Sequence, residues 1–402
     1  MIPELRRAYN AAFDGSSYRR VLEHLEREAG VPADFRISET PIFLPTDLAH
    51  MLERAAREVL DQALAPATLA GTAWAVPADW RVAGDPGFPE FAQVDFALAL
   101  GEDGAVVPRL IELQGFPSLY GFQWLLAQAY REVFPLPAGF TTHFSGYDER
   151  SYVDFLRHTL IGDCEPEQVV LLEIEPDQQK TRIDFCITSR LSGLAVVDAS
   201  SVVRRGRSWY YRRDGSEIPI RRIYNRVIVD EVERKGLGHL KELFTAETDI
   251  EWVGHPDWYF KVSKATLPLL SSEFVPPCHR LSEIDRLPDD LDNYVLKPFF
   301  SFAGLGVEIG PSRERLAEIG ARGEQAGYLL QRKVEYAPAF ETPADPAKVE
   351  VRMMFLWDRS AAASGGRPVL VNSLVRMSKG RMMGVDFNKN KTWVGASVAF
   401  HS

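Results

Sequence analysis

The sequence is poor in cysteine, in net positive charge and in long apolar runs, and each shortage removes a class of function. Its 402 residues hold three cysteines, Cys164, Cys186 and Cys278, far apart and without a CxxC pair. Neither a disulfide framework nor a thiolate zinc site fits that spacing, and small buried thiols in a reducing cytoplasm are the expectation. His143, His158 and His255 show no HExxH or comparable metal spacing and read as surface or core histidines. Lysine and arginine number 46 against 56 aspartate and glutamate, a formal charge of -10. Loose binding to nucleic acid draws on cations neutralising phosphates, so this balance opposes it. The basic, aromatic stretch RRGRSWYYRRDG (204–215) reads as a solvated hairpin face. No run approaches the roughly 18 apolar residues of a membrane span, and MIPELRRAYNAAFDG turns polar before an apolar export segment develops. A cytoplasmic protein without nucleic-acid or membrane partners is the expectation; nothing fixes an oligomeric state.

What is present is a 46% hydrophobic share, enough for a large core and, at this length, for two or three domains. Residues 1–30 and 46–65 place apolar side chains three and four apart between charges, which predicts amphipathic helices, the second capped by Thr46 or Asp47. The period changes at residue 91: FAQVDFALALGEDGAVVPRLIELQGF reads as two strands joined by GEDG, followed by a helix over 121–134. QVVLLEIEP (168–176), a helical stretch through Arg190 and then GLAVVD form a β-α-β sequence, so an open α/β sheet is expected there. The stretch 208–226 reads as two strands about a DG turn. Beyond it, 262–271 reads as helical and FVPPCHRL as an extended linker. From 294 onward come a strand, a helix over 311–325, and strands over 328–334, 349–357, 368–375 and 392–400. SAAASGG (360–366) reads as a hairpin tip and DIEWVGHPDWYF as a tryptophan-rich packing segment.

Chemistry gathers around one lysine. YVLKPFFSFAGLGVEIG (294–310) sets Lys297 at the end of an apolar strand, where a cation needs an anionic partner. Gly304 and Gly306 let the following loop bring backbone N–H groups close to a polyphosphate. No GKS/T opens a helix, and strand rather than helix follows the glycines, so neither a P-loop nor a dinucleotide fingerprint is present. Upstream, Lys261 and Lys264 lead a short helical segment. Downstream, GYLLQRKVEYAP leaves a strand around Gln331, Arg332, Lys333 and Val334, where backbone groups could read an adenine edge. Arg352, Arg376 and Lys379 lie in or at the ends of two later strands. In the hairpin, Glu112 and Gln114 are two apart and project to one face, with Asp95 on the facing strand. Hard oxygen donors of this kind suit magnesium; a solvated acidic face is the equal alternative.

The order of these features, a lysine-led helix, a lysine strand with a glycine loop, a hinge and arginine-bearing strands, resembles the ATP-grasp superfamily. Residues 91–119 and 258–400 resemble, more narrowly, the branch of glutathionylspermidine synthetase and eukaryotic-type glutathione synthetase. Its pattern of DF followed by LEYNADTPTSL is matched by VDFALALGEDGAVVPRLIELQGFPSLYGF, and its NKAILPLL by SKATLPLL. The resemblance implies an ATP-grasp fold of mixed α+β and α/β class in three parts: a helical region with a metal-binding hairpin (1–150), an open α/β domain (151–260) and a nucleotide-binding domain (261–402). It implies ATP and Mg2+ as cofactors. Asp95, Glu112 and Gln114 would take the metal, and Pro117 and Ser118 would sit in a substrate-facing turn. Lys297, Lys264 or Lys261, Gly304, Gly306 and residues 331–334 would take the nucleotide. The implied reaction joins a small-molecule carboxylate to a small-molecule amine through an acylphosphate. Arg352 and Arg376, with Lys379 beside them, would steady the developing charge or hold a carboxylate. Arg226 either faces the same cleft or pairs with Asp230.

Three residues depart from the family pattern. Gln114 replaces an asparagine, Gln93 replaces an arginine of the peptide-spermidine branch, and Ser301 stands at a carboxylate position of glutathione synthetase, in a loop made apolar by Phe299, Phe300 and Phe302. A changed substrate is the expectation. Asp386 and Asn388 in GVDFNKNKTWVG form a second candidate metal pair, resembling the acidic-x-Asn of unpermuted ATP-grasp enzymes, or else a simple Asn-Lys turn. Two other functions stay open: an ATP-binding partner or regulatory protein without catalysis, and an ATP-dependent phosphotransferase.

Overall fold

The computed structural model describes residues 1–300, 305–338, 340–343, 345–384 and 388–402. In chain order the strands are β1 (Ile42–Phe43), β2 (Phe91–Leu100), β3 (Val106–Gln114), β4 (Val169–Glu173), β5 (Ala195–Asp198), β6 (Val203–Arg205), β7 (Ser208–Arg213), β8 (Ser216–Ile220), β9 (Arg222–Asn225), β10 (Glu251–Val253), β11 (Cys278–Arg280), β12 (Tyr294–Pro298), β13 (Glu308–Ile309), β14 (Tyr328–Arg332), β15 (Lys348–Leu356), β16 (Val369–Ser378), β17 (Gly395–Ser397) and β18 (Ala399–Phe400). The fold is mixed α/β, built on several sheets.

The expected hairpin β2–β3 is the edge of a five-stranded antiparallel sheet ordered β17-β16-β15-β2-β3, so an early hairpin and three late strands share one surface. Alternation along these strands separates two faces. Val94, Phe96, Val351, Met353, Val375 and Met377 pack with the helix Thr46–Ala63 through Leu48, Leu52, Ala56 and Val59. That helix starts at the expected place, but Pro45 holds its cap position and no side chain caps it. The other face carries Phe91, Met354, Leu356 and Leu374 at one end, covered by Tyr120, Tyr152 and Tyr224. Its remaining end is polar.

A second, wholly parallel sheet runs β10-β9-β4-β5, and β4 is buried along its length as its continuous VVLL run requires. The helix Arg182–Ser192 is the expected crossover. The helix Glu149–Ile161, begun by a capping box between Asp148 and Ser151, adds to the expected elements. A third sheet, β11-β14-β12-β13, is antiparallel and carries Lys297 on β12.

Several expectations are corrected by long-range pairing. FVPPCHRL is not a linker: Cys278–Arg280 forms β11 because β14, some fifty residues later, supplies its hydrogen-bond partners. SAAASGG contributes to a short helix, Arg359–Ala363, capped by Asp358, rather than a hairpin tip. The stretch 262–271 forms the 3-10 helix Lys264–Leu269, opened by a Ser263–Thr266 capping box. The last strand divides into β17 and β18, and β18 leaves the sheet to pair in parallel with β1.

Candidate functional site

The polar end of the five-stranded sheet is one stripe across four strands: Gln93 and Asp95 on β2, Glu112 and Gln114 on β3, Glu350 and Arg352 on β15, and Arg376 on β16. Register brings them together. Asp95 lies opposite Glu112 on one side and Arg352 on the other, Gln93 opposite Gln114, and Glu350 opposite Arg376.

Asp95, only 1% exposed, sits in a guanidinium fork. Arg352 donates from Nε to Oδ1 at 2.6 Å and from Nη2 to Oδ2 at 2.7 Å, and Arg376 Nη2 also donates to Oδ2. Burial, the largest influence, pushes the carboxyl up, but the Arg352 and Arg376 guanidiniums together hold it below the usual carboxylate range. Arg352 Nη1 reaches Gln93 Oε1 at 2.9 Å. Gln93 Nε2 donates to Ser118 O at 2.8 Å, and Gln114 Nε2 donates to Gln93 Oε1 and, at 3.3 Å, to Phe116 O. Arg376 Nη2 lies 3.0 Å from Glu350 Oε2, and the other Glu350 oxygen accepts from the Tyr336 hydroxyl. The two arginines therefore differ. Arg352, with a 9% exposed side chain, spends its donors inside the network, whereas Arg376, at 34%, is the more exposed of the two.

The lysine arrives from the third sheet. The β2–β3 register steps from Asp95–Glu112 to Phe96–Leu110 and passes over Ile111. This bulge leaves the Ile111 carbonyl outside the ladder, where it accepts from Lys297 Nζ at 2.9 Å. Burial holds the Lys297 amine below the ordinary lysine value, with Glu112 opposing that shift and Lys264 adding to it. Lys264 Nζ lies 3.7 Å from Glu112 Oε2, and Arg352 Nη2 lies 4.0 Å from Glu112 Oε1. Three cations thus gather around Glu112 from three elements, and among the described residues none closes a hydrogen bond on it. Gly306, just past the strand, has a φ of +72°, which suits glycine and keeps the backbone close against Pro298.

The structure separates the other sequence candidates. Lys261 is not in this cluster: its amine pairs with Asp85 and lies over the Trp258 ring. Gln331 is buried and donates to Leu110 O at 3.3 Å. The N–H groups of Arg332 and Lys333 already donate to Pro277 O and Asn293 O, each at 2.8 Å, and the Arg332 guanidinium pairs with Asp290. The backbone N–H groups of Arg332 and Lys333 are thus committed within the fold. Lys379 points to Thr342 Oγ1 at 2.9 Å, away from Arg352 and Arg376. Asn388 Oδ1 accepts from Ser378 Oγ and from the N–H groups of Lys379 and Gly380, so this amide organises its own loop. The expectations for Ser301, Gly304 and Asp386 fall outside the described residues.

A second group of buried polar side chains lies at the carboxyl end of the parallel sheet, next to the turn that follows β3. Arg226, buried just past β9, lies over the rings of Phe116 at 5.2 Å and Phe185 at 5.4 Å. Its Nε and Nη1 have no hydrogen-bond partner among the described residues. Asp230 does not pair with it, as one expectation had it, but accepts from the Tyr259 hydroxyl at 2.9 Å. Asp184 accepts from Leu119 N and Phe122 N, which caps the helix Tyr120–Val133 and pins the turn holding Pro117 and Ser118. Burial pushes the nearby Glu173 carboxyl up to about 8, with Arg226 opposing. Glu350, Tyr336, Asp184 and Glu173 were missed from sequence. Only Glu350, two before Arg352 in VEVR, carried a readable signal. The spatial group Asp85, His255 and Asp257, with ligand atoms within 4.8 Å of one another, also escaped sequence spacing. Lys261 already supplies positive charge there, so it reads as an ion-pair network.

Among these donors, Glu112 and Gln114 fit a magnesium ion: a carboxylate with no close hydrogen bond from the described residues and an amide whose nitrogen is held elsewhere, side by side on one face. Asp95 does not, because two guanidiniums occupy both of its oxygens.

No protein-family model and no curated protein sequence matches the chain. Among solved structures it is similar to a glutathione synthetase like-effector (GSS30) from Globodera pallida, solved without ligand, with a TM-score of 0.59 over 98% of this chain and 99% of that one, at 10% sequence identity. At that identity the likeness is one of fold, and the chain has a glutathione synthetase-like fold.

Proposed function

We propose that this protein is an ATP- and Mg2+-dependent carboxylate–amine ligase of the ATP-grasp type. The observation that carries the reading is the meeting of Lys264 and Lys297 at Glu112, beside the Arg376 guanidinium, on a face built from both ends of the chain. A cluster of fixed cations with one open carboxylate suits a metal-bound polyphosphate. Magnesium, when held by Glu112 and Gln114, neutralises phosphate charge. Lys264 and Lys297 bind phosphate oxygens, and Arg376, held at one nitrogen by Asp95 and Glu350, presents its exposed side to the transferring group, where a preorganised cation lowers the barrier. Arg226, whose Nε and Nη1 have no hydrogen-bond partner among the described residues, anchors a substrate carboxylate. A second substrate carboxylate attacks the γ-phosphorus, ADP leaves, and the amine then displaces phosphate from the acylphosphate to give an amide. The aromatic wall of Phe116, Tyr259 and Phe260 limits access of water to that intermediate.

The test is Mg2+-dependent ADP release with panels of amino acids, peptides and polyamines, followed by mass spectrometry. An amide product with free phosphate is expected, and a stable phosphorylated product would identify a phosphotransferase. A second reading, ATP binding without ligation, draws on the Asp95 fork and on the description of the structural neighbour as an effector. ATP binding without ADP release against any panel would favour it.

A further inference from the structure

We infer that Arg352 is a built-in cation at the Asp95 carboxylate, so that the cleft takes one divalent ion, at Glu112 and Gln114, and none at Asp95. The inference uses the proposed nucleotide site only for the identity of the remaining ligands; the ion count stands on this chain's own side chains.

Backbone register sets the pair. Asp95 and Arg352 are directly opposed on neighbouring strands, so the fork does not depend on a swinging loop. Both oxygens are used, at 2.6 and 2.7 Å from Arg352, and Oδ2 is used again by Arg376. A lysine or histidine in that place could lose its proton and yield to a metal, whereas a guanidinium stays charged. Magnesium also keeps several waters in a near-octahedral shell, and an aspartate 1% exposed leaves no room for them.

The amides repeat the argument. Gln93 Nε2 donates to Ser118 O, so its oxygen faces Arg352 Nη1 and the Gln114 amide. Gln114 must therefore present nitrogen to Gln93, and its oxygen is the amide atom not engaged with Gln93, on the strand face shared with Glu112. Among the described residues the nearest cations to Glu112 stand at 3.7 and 4.0 Å, beyond hydrogen-bond reach, and none donates a hydrogen bond to its carboxylate. Charge agrees. Asp95, Glu112 and Glu350 face Arg352, Arg376, Lys264 and Lys297, an excess of one positive charge before any ion enters. One divalent ion brings the face to plus three, which a bound nucleoside triphosphate, of opposite sign, offsets.

The experiment titrates Mn2+ into the full chain and follows the free-ion signal by electron paramagnetic resonance, with and without a non-hydrolysable ATP analogue. One Mn2+ per chain is expected. Glu112→Gln should weaken it by about tenfold or more, and Arg352→Gln, which frees Asp95 Oδ1 and leaves Oδ2 with Arg376 alone, should add a second bound ion. Circular dichroism checks that both variants fold, and the count for the unmodified chain stands without them. Two ions on the unmodified chain, none at all, an unchanged affinity in Glu112→Gln, or an unchanged count in folded Arg352→Gln would overturn the inference. If the analogue fails to bind while the single-ion pattern holds, the ligase reading falls and this one stands.

Discussion

Replacing Lys297 by methionine separates a ligand-binding cation from a structural one, because the two roles predict opposite results with and without nucleotide. Methionine keeps the length of the side chain but removes the charge. In the free protein the loss is one hydrogen bond to the Ile111 carbonyl, an effect of about 1–3 kcal/mol. Against it stands relief from keeping a buried cation near Lys264, with Lys264 still beside Glu112. The net change in unfolding free energy should stay within about 2 kcal/mol. With ATP present, the same substitution removes one partner of a buried charge pair and should cost about 2–5 kcal/mol, a rise in Kd of roughly 30- to 4,000-fold. Calorimetry gives the Kd, and urea unfolding with and without nucleotide gives both stabilities. At a hundred times its Kd, ATP should stabilise the native chain by about 2.7 kcal/mol, and the variant at that concentration should gain about 0.9 kcal/mol at most. The pH dependence carries a sign. Burial sets the folded pKa of Lys297 below its unfolded 10.5, so between the two the unfolded chain binds more protons and the stability of the free protein rises with pH. ATP affinity should fall over the same window, as the ammonium is lost, and neither trend should persist in the variant. An unchanged Kd in Lys297→Met, or a loss of more than about 4 kcal/mol in the free protein, would refute the reasoning and make the lysine a structural partner of Glu112.

Other outcomes follow from single contacts. Arg376→Lys keeps a charge but cannot span Asp95 and Glu350; kcat should drop by roughly 10²–10³ with ATP binding little changed, read from ADP release and calorimetry. Arg226→Met removes an anchor of about 1.5–3 kcal/mol, so KM for the acid substrate should rise by about ten- to a hundredfold, while kcat and the denaturation midpoint hold. Gly395→Ala should cost about 3 kcal/mol or more in urea unfolding, because a Cβ there would meet Arg36 O at 2.2 Å on a backbone with φ +114°.

Much of the site was legible as residue types. Lys297 at the end of an apolar strand, the Glu112–Gln114 pair and the two strand arginines were all readable, because strand alternation has a period of two and needs no partner to be seen. The ambiguity between Lys261 and Lys264 was not resolvable from sequence. It turns on which way a short helical segment faces, and packing sends Lys261 to Asp85 and Lys264 to Glu112. β11 was hidden for a similar reason, since a three-residue edge strand after two prolines shows itself only through its partner β14.

The amino-acid sequence alone determined where most of the longer strands and helices lie and which side chains share a face, since both follow from local periodicity and from the cost of leaving a charge among apolar neighbours. Tertiary structure decided what each charge meets. Asp95 reads as a free metal ligand until β15 brings Arg352 across 257 positions to fill it, and Ile111 reads as core until a bulge turns its carbonyl toward Lys297. Register between distant strands comes from packing of the whole sheet, which no short stretch of residues encodes.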